Sequence, residues 1–280
     1  MNFNSRIHLL GFLVFFSCQG SKDRPVKMQN EHGTKVAAHR GANEFAPENT
    51  LAAFKKAIDL GVDYIEIDVR QSLDGQMVVI HDRNLERTTN GKGYVDELEW
   101  KDLRLLSAGG WFDSKYVDQK IPRLDDLCAF ISEYSLRVGS DVKLYVDCKD
   151  ISPYNMIAIL RDKQLLDRAI FYGSVSVLSE IKDVFPNARV LVGLSNEEEI
   201  EPLFKKLNPY AFDVKWELLS EELIKKIHER KAYVFSDGIG NGKEAISSYR
   251  KAMEMRIDVI QTDRILHFFS AKKMNSESIQ

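Results

Sequence analysis

A helix followed directly by an acidic strand decides the fold of this chain. Residues 51–69 read LAAFKKAIDLGVDYIEIDV. The apolar residues in the first half recur every three to four positions, which predicts a helix over 48–60 with one buried face. Gly61 is typical of a residue that ends a helix, and the apolar run over 64–69 predicts a buried strand. The stretch therefore predicts one helix-then-strand unit of an α/β protein.

The same alternation of strand and helix continues along the chain. Strands are predicted near 35–40, 64–69, 77–82, 143–149, 169–174, 189–194, 211–216, 231–236 and 258–262. Helices are predicted near 48–60, 97–106, 123–135, 152–164, 175–185, 197–206, 220–230 and 243–255. This succession predicts a parallel sheet closed into a TIM (β/α)8 barrel.

The predicted strands are one more than an eightfold barrel needs. Segment 211–216 has the weakest pattern for a barrel strand. Residues 69–77 leave no room for a helix, and Asp74-Gly75 within them is a turn signal. We therefore expect the barrel to be irregular between its second and third strands, and the sequence leaves that pairing open.

The barrel domain is expected to span residues 34–269, with one insertion and one tail. Residues 83–121, after the third strand, are rich in Gly, Thr and Asn. So long a connection predicts a functional loop or a small subdomain. Residues 270–280 are polar and are expected to form a disordered tail.

The N-terminus has the pattern of an export signal. Arg6 precedes an apolar run over 7–16 that is too short for a transmembrane helix, and Ser17-Cys18 follow. The pattern resembles a bacterial lipoprotein signal, so we expect residues 1–17 to be removed, Cys18 to be lipidated and 18–33 to form a tether. A plain cleaved signal or an uncleaved anchor is the alternative. The lipoprotein interpretation predicts a membrane-anchored protein of the bacterial cell envelope that faces the periplasm.

Composition argues against a nucleic-acid partner and against a disulfide. The 280 residues carry a formal net charge of −3. No basic stretch is interleaved with aromatic residues, so no nucleic-acid partner is expected. Cys128 and Cys148 lack metal-ligand spacing and are expected to be two buried thiols. The oligomeric state stays open.

Glu66 and Asp68 predict a cation site. They are two residues apart on one strand and therefore face the same side. Adjacent carboxylates repel each other, and a divalent cation that prefers oxygen ligands, Ca²⁺ or Mg²⁺, would relieve that repulsion. The alternative is an exposed edge strand with two solvated acids, which the surrounding apolar residues disfavour. Asp147 on the fourth strand can supply a third carboxylate.

Two histidines at strand ends are candidates for proton transfer. His39 ends the first predicted strand and His81 the third, and a charged residue follows each. Imidazole exchanges protons near neutral pH, so one histidine can act as a base and the other as an acid. A single histidine after a strand is more often structural, but the pair favours catalysis.

Arg40 and Lys149 are candidates for binding phosphate. The guanidinium of Arg40 offers a planar fork of donors that suits phosphate. Lys149 follows Asp147 at a spacing of two on the fourth strand. An internal salt bridge between Asp147 and Lys149 is the alternative.

Taken together, these residues resemble the signature of the glycerophosphodiester phosphodiesterases over residues 34–266. The matching motifs are His39-Arg40-Gly41, Pro47-Glu48-Asn49-Thr50, Glu66-Ile67-Asp68, Asp74-Gly75, His81-Asp82, Arg87-Thr88-Thr89, Ile121-Pro122-Arg123-Leu124 and Thr262-Asp263. Three places depart from the family pattern. Asp147-Cys148-Lys149 replaces Glu-x-Lys, Phe235-Ser236-Asp237-Gly238 replaces Trp-Thr-Val-Asn, and Tyr172-Gly173-Ser174 replaces Ser-Phe.

The resemblance implies a TIM barrel with a small insertion after the third strand and a divalent cation at Glu66, Asp68 and Asp147. It also implies His39 and His81 as the acid/base pair in the hydrolysis of a small glycerophosphodiester to glycerol 3-phosphate and an alcohol. Attack by a neighbouring hydroxyl, through a cyclic phosphate, and attack by water both stay open. Two alternatives stay open as well. They are a phosphodiesterase for lysophospholipid or another envelope diester, and a non-catalytic phosphodiester-binding lipoprotein.

Overall fold

The structure is a computed structural model that describes residues 33–240 and 243–277 of the chain. The expected leader, 1–17, lies outside the described residues, as does all of the expected tether but Gly33, so the lipidation of Cys18 stays a prediction. Within the described ranges, no helix is both long enough and apolar enough to cross a membrane.

Eight parallel strands close into a barrel. The strands of the sheet are β1 Lys35–Ala38, β2 Tyr64–Gln71, β3 Met77–Val79, β4 Lys143–Cys148, β5 Ala169–Tyr172, β6 Val190–Leu194, β7 Ala211–Val214, β8 Tyr233–Asp237 and β9 Val259–Thr262. The ring runs β1-β2-β4-β5-β6-β7-β8-β9, and β9 pairs with β1 to close it. The predicted TIM barrel is confirmed.

The additional strand is β3, which lies outside the ring and pairs antiparallel with β2, placing Val69 opposite Val79. The turn between the two strands contains Gly75 with a φ of +80°. A parallel crossover needs about a dozen residues or more, so this short connection can only form a hairpin. The expectation that 211–216 was the weakest barrel strand was wrong, because this segment supplies β7 of the ring.

Helices cover the outside of the barrel, and one further short helix, Trp100–Leu103, lies in the insertion after β3. They are α1 Leu51–Asp59, α2 Trp100–Leu103, α3 Leu124–Val138, α4 Pro153–Asp162, α5 Val175–Val184, α6 Ile200–Leu207, α7 Glu221–Glu229, α8 Ile246–Glu254 and α9 Ile265–Glu277. In α1, the buried face consists of Ala53, Phe54, Ala57 and Ile58, and the side chain of Thr50 accepts the N–H of Ala53 at the first turn. A capped start and one buried face explain why this segment is helical.

A separate apolar core fills the inside of the barrel. Its members are Ala37, Tyr64, Tyr145, Ile170, Leu191, Ala211, Phe235 and Val259. The ring of Phe235 meets Tyr64 and Tyr145 edge-on, with centroids 5.7 Å and 6.1 Å apart. Because side chains alternate along a strand, residues two positions further on also point inward, and they line the mouth at the carboxyl ends of the strands.

Residues 83–121 form a small subdomain around an apolar core of their own. That core consists of Val78, Ile80, Leu85, Val95, Leu103, Ala108 and Ile121. The hydroxyl of Tyr116 donates to the carbonyl oxygen of Phe45 at 2.8 Å, and Gln119 Oε1 accepts the N–H of Ala52 at 3.1 Å. The insertion is thereby fastened to the segment between β1 and α1 and to the first turn of α1.

Helix α9 corrects the expectation of a disordered tail from residue 270. Ile265, Phe268 and Ala271 are buried along one side of this helix. The ammonium of Lys272 donates to the carbonyl oxygen of Thr34 at 3.1 Å. The helix continues to Glu277, because this short apolar stripe packs on the barrel although the segment is polar in composition.

Candidate active site

The mouth of the barrel brings the three predicted metal-binding carboxylates together. Glu66 and Asp68 follow the inward-facing Tyr64 on β2, and Asp147 follows the inward-facing Tyr145 on β4. The parallel register places Asp68 directly beside Asp147. One oxygen atom from each of the three carboxylates lies within 4.8 Å of the others. Strand alternation and register thus explain how residues far apart in sequence form one acidic cluster.

This acidic cluster, Glu66, Asp68 and Asp147, carries negative charge that its surroundings only partly neutralise. Burial and repulsion by the other two carboxylates raise the pKa of Glu66 well above its usual range. Burial also raises the pKa of Asp147. Burial alone would raise the pKa of Asp68, but the attraction of Lys149 and other positive groups outweighs it and lowers that pKa. A divalent cation would supply the missing positive charge, so these oxygen donors fit Ca²⁺ or Mg²⁺.

Lys149 and Asn49 hold two of the carboxylates in place. Lys149 Nζ lies 3.1 Å from Asp68 Oδ1 and also pairs with Asp147. Asn49 Nδ2 donates to Asp68 Oδ2 at 2.7 Å. The salt bridge that the sequence left as an alternative is therefore present, and Asp147 still belongs to the acidic cluster.

His39 lies just beyond β1 and contacts a carboxylate at the end of β9. Its Nδ1 is 2.7 Å from Asp263 Oδ1, and Asn43 Nδ2 donates to the same oxygen. Because a carboxylate only accepts, Nδ1 carries a proton, and Nε2 is the atom left to exchange protons. Asp263 thus fixes the tautomer and the orientation of His39.

His81 is held in the same way beyond β3. Its Nδ1 lies 2.6 Å from Asp82 Oδ1, and Arg70 Nε donates to the His81 carbonyl oxygen at 2.8 Å. The hydrogen bond from Arg87 lowers the pKa of Asp82 to about 2. Asp82 therefore stays ionised and accepts from His81 at neutral pH.

The turn after β1 has a backbone that few residues adopt. Arg40 has a φ of +55° and Gly41 a φ of +83°. A Cβ atom at Gly41 would lie 2.9 Å from the backbone of Ala53, so α1 approaches too closely for any larger residue. In this conformation, the backbone N–H of Arg40 donates to Glu66 Oε2 at 2.6 Å. The turn therefore helps to fix the acidic cluster.

The side chain of Arg40 connects the acidic cluster to the insertion. Its terminal nitrogen donates to Glu48 Oε1 at 2.8 Å, and Arg87 in the insertion donates twice to Glu48, at 2.7 Å and 2.8 Å. Arg40 Nε lies 3.5 Å from Asp68 Oδ2 and is buried without a hydrogen-bond partner among the described residues. Arg40 thus places a positive charge beside the acidic cluster, in addition to that of Lys149.

The opposite half of the mouth, on β5 to β8, contains two aspartates and an aromatic side chain but none of the predicted site residues. The inward-facing positions there are Tyr172, Gly193, Asp213 and Asp237. Burial and repulsion by Asp237 and Asp147 raise the pKa of Asp213 to about 7. Phe235 belongs to the inner core below these residues.

The structure places every predicted site residue at the half of the mouth formed by β1, β2 and β4, which His81 reaches from just beyond β3. These residues are His39, Arg40, Glu66, Asp68, His81, Asp147 and Lys149. Sequence reasoning assigned no role to Asp263 or Asn43, which orient His39, or to Glu48 and Arg87. The role of Asp263 could have been inferred from its position directly after the last strand, because that strand closes the ring beside the first strand, which His39 follows.

The described residues thus form a TIM barrel with two carboxylate-held histidines and an acidic cluster at its mouth. Residues 39–267 match the model of the "Glycerophosphoryl diester phosphodiesterase family". The chain belongs to this family, whose members are phosphoric diester hydrolases that act on small molecules.

Three individual proteins with glycerophosphodiester phosphodiesterase names are similar to this chain. The YhdW protein of Bacillus subtilis is 30% identical over 241 residues, which cover 81% of this chain and 93% of YhdW. The glycerophosphodiester phosphodiesterase of Caldanaerobacter subterraneus is 34% identical over 159 residues, 56% of this chain, and the match spans 65% of that relative's length. The crystal structure of a glycerophosphodiester phosphodiesterase from Agrobacterium tumefaciens has a TM-score of 0.76 at 28% identity, covering 85% of this chain and 99% of that one.

Proposed function

We propose that this protein hydrolyses glycerophosphodiesters to glycerol 3-phosphate and an alcohol, in a reaction that depends on a divalent cation. One observation carries the proposal. Two histidines, each held through Nδ1 by a carboxylate, share one half of the barrel mouth with an acidic cluster and with two cationic side chains. Membership of the family supports the choice of substrate.

His39 and His81 would move the protons of the reaction. One histidine accepts the proton of the attacking oxygen, which belongs either to a neighbouring substrate hydroxyl or to water. A new P–O bond forms while the bond to the leaving alcohol breaks, and the other histidine protonates that leaving oxygen. Attack by water gives glycerol 3-phosphate directly. Attack by a substrate hydroxyl gives a cyclic phosphate, and water then opens its ring in a second step while the two histidines exchange roles. The negative charges of Asp263 and Asp82 stabilise each imidazole when it is protonated.

Arg40 and Lys149 would bind the phosphate and hold it between the histidines. Both side chains are beside the acidic cluster, since Arg40 Nε lies 3.5 Å from Asp68 Oδ2 and Lys149 Nζ lies 3.1 Å from Asp68 Oδ1. Glu66, Asp68 and Asp147 would hold the cation. When bound, Ca²⁺ or Mg²⁺ supplies positive charge that stabilises the charge developing on the phosphoryl oxygens.

The test is hydrolysis of glycerophosphocholine by the purified protein, with Ca²⁺ or Mg²⁺ and with a chelator. We expect turnover with cation, loss of turnover with chelator, and a fall of about 10²- to 10⁴-fold in kcat for His39→Ala and for His81→Ala. His228→Ala is the matched control, because His228 pairs with Asp258 at the amino-terminal end of β9, away from the mouth. Absence of turnover on choline, ethanolamine and glycerol diesters with every divalent ion would overturn the proposal.

We further propose that the protein is anchored to the bacterial cell envelope through a lipidated Cys18 and faces the periplasm. The support is the sequence pattern before Cys18 and the position of the first described residue. Gly33 directly precedes β1, at the face of the barrel opposite the mouth, so an anchor on this side leaves the mouth open. We expect Cys18→Ser to move the protein from the membrane fraction to the soluble fraction. Mass spectrometry that finds an unmodified Cys18 on membrane-bound protein would contradict lipidation.

A further inference from the structure

His39 and His81 differ in how they are attached to the barrel. His39 follows β1, a strand of the ring, whereas His81 follows β3, a strand of three residues that lies outside the ring beside β2. The side chain of His81 is 33% exposed, against 15% for His39. Its imidazole is oriented by Asp82, the next residue in the chain. The placement of His81 therefore depends on what holds Asp82.

Arg87, in the insertion, is bound to the carboxylate that orients His81. Arg87 Nε donates to Asp82 Oδ2 at 2.5 Å, while Asp82 Oδ1 accepts from Nδ1 of His81. The two terminal nitrogens of the same guanidinium donate to Glu48, at 2.7 Å and 2.8 Å. Arg87 thus joins the aspartate of His81 to a second carboxylate, which lies in the segment between β1 and α1.

Glu48 is itself anchored at the mouth. Its side chain is largely buried, and Arg40 donates to its Oε1 at 2.8 Å. Burial alone would raise the pKa of Glu48, but the hydrogen bonds and the attraction of the two arginines outweigh it and lower that pKa. Charges of alternating sign thus connect His81 with the acidic cluster, through Asp82, Arg87, Glu48 and Arg40.

The backbone on both sides of Arg87 is fixed by the core of the insertion. Leu85 is fully buried in that core, and its N–H donates to the carbonyl oxygen of Gly93 at 3.0 Å. The hydroxyl of Thr89 donates to the carbonyl oxygen of Leu85 at 2.6 Å. The guanidinium of Arg87 therefore extends from a well-bonded turn, and such support holds a neighbouring group in one position.

We propose that Arg87 is a positioning residue for the reaction. It holds Asp82, and through Asp82 the imidazole of His81, in a fixed position relative to Arg40. The inference rests on the proposed function, in which His81 moves a proton. Arg87 acts without contacting the substrate, because its guanidinium is already hydrogen-bonded to two carboxylates. The insertion thereby takes part in catalysis, by fixing one histidine of the pair.

The experiment measures kcat and KM for glycerophosphocholine, with a melting curve for each protein. The variants are Arg87→Ala, Arg87→Lys, Asp82→Asn and the double variant Arg87→Ala/Asp82→Asn. Lysine keeps the positive charge but lacks the planar fork that binds two carboxylates at once. Arg83→Ala is the matched control, because Arg83 lies in the same insertion and donates twice to Asp96, at 2.8 Å, in an ion pair of the same kind.

We expect kcat to fall about 10- to 100-fold in Arg87→Ala while KM changes less than about threefold, because the change affects proton transfer and not substrate binding. Arg87→Lys should lose about tenfold in kcat, and Arg83→Ala should stay within about twofold of the wild type. The double variant should lose little more than Asp82→Asn alone, since both changes interrupt the same connection to His81.

Several results would overturn the positioning role and leave the proposed function standing. One is a folded Arg87→Ala protein with the kcat of the wild type, and another is a rise in KM at unchanged kcat, which would show that Arg87 binds the substrate. Losses that multiply in the double variant, or an equal loss in Arg83→Ala, would also overturn it. If Arg87→Ala does not fold, Arg87→Lys is judged by the same criteria. Absence of turnover by the wild type overturns the proposed function, and the positioning role with it.

Discussion

Replacement of Asp263 by asparagine tests whether the contact between β1 and β9 supports catalysis. In the wild type, Asp263 Oδ1 accepts the proton-bearing Nδ1 of His39 at 2.7 Å and also accepts from Asn43. The asparagine side chain would have nearly the same shape but no charge, and its amide group can donate to Nδ1. That donation favours the tautomer with the proton on Nε2, the atom that must exchange protons with the substrate.

The size of the effect follows from the environment of the pair. The side chains of His39 and Asp263 are 15% and 29% exposed, so water screens the pair only in part. A hydrogen bond to a charged group contributes about 1.5–3 kcal/mol, and each 1.36 kcal/mol corresponds to about tenfold in rate. We therefore expect kcat of Asp263→Asn to fall about 10- to 100-fold, which is less than the fall for His39→Ala.

The chain contains a matched control for this variant. Asp258 and His228 form a third aspartate–histidine pair, also at 2.7 Å, at the amino-terminal end of β9 and away from the mouth. Asp258 is 5% exposed and also accepts the backbone N–H of Val234. Asp258→Asn should therefore lower thermal stability at least as much as Asp263→Asn while leaving kcat within about twofold.

The assay is steady-state hydrolysis of glycerophosphocholine, with kcat and KM determined separately and with a melting curve for each variant. The expected pattern is a fall in kcat with little change in KM for Asp263→Asn, and a fall in Tm alone for Asp258→Asn. A folded Asp263→Asn protein with wild-type kcat would refute the positioning role of Asp263. Equal losses of kcat in both variants would show that the loss comes from general destabilisation.

Two further predictions concern the acidic cluster and the C-terminal helix. The pKa of Glu66 is raised, so a cation must displace its proton, and the affinity for Ca²⁺ or Mg²⁺ should rise with pH until Glu66 ionises in the free protein. Glu66→Gln should weaken cation binding and reduce its dependence on pH. Calorimetry in buffers of different ionisation enthalpy measures both the affinity and the proton release. An affinity that does not change with pH would contradict this. Phe268 is fully buried in α9, so Phe268→Ala should lower the free energy of unfolding by about 3–5 kcal/mol, as measured by denaturant titration. Leu266 occupies an exposed position of the same helix, so Leu266→Ala should lower the free energy of unfolding far less. Equal costs for the two variants would contradict the packing of α9 on the barrel.

The helices and strands that the sequence predicted correctly are those that have a clear local signal, such as a helix cap or an apolar stripe. Helix α1 has a cap at Thr50 and a full apolar stripe, and the strands of the ring are apolar runs between turn signals. Strand β3 was predicted as a strand, but its place outside the ring depends on pairing with β2, which the pattern of the strand itself does not encode. Helix α9 was missed because its apolar stripe is short within a polar segment, and its packing on the barrel stabilises it.

The residues of the candidate site also fall into two groups, those that sequence spacing predicted and those that depend on the closed barrel. The spacing of Glu66 and Asp68 predicted a shared face, and the register with β4 brings Asp147 beside them. The partner of His39 was not predictable by spacing, because His39 and Asp263 are 224 positions apart and meet only when the ring closes. The raised pKa of Asp213 was likewise not predictable from local sequence, because it depends on burial and on repulsion by Asp237 and Asp147.

The contact between His39 and Asp263 also gives the folding of the chain an observable end point. It joins the first and last strands of the ring, and the backbone N–H of His39 donates to the carbonyl oxygen of Thr262 at 3.2 Å in the same seam. A partly synthesised or partly refolded chain can form most helices and strands and still lack this seam. Regain of enzymatic activity after denaturation would therefore time the closing of the seam, whereas circular dichroism would report the earlier formation of helices.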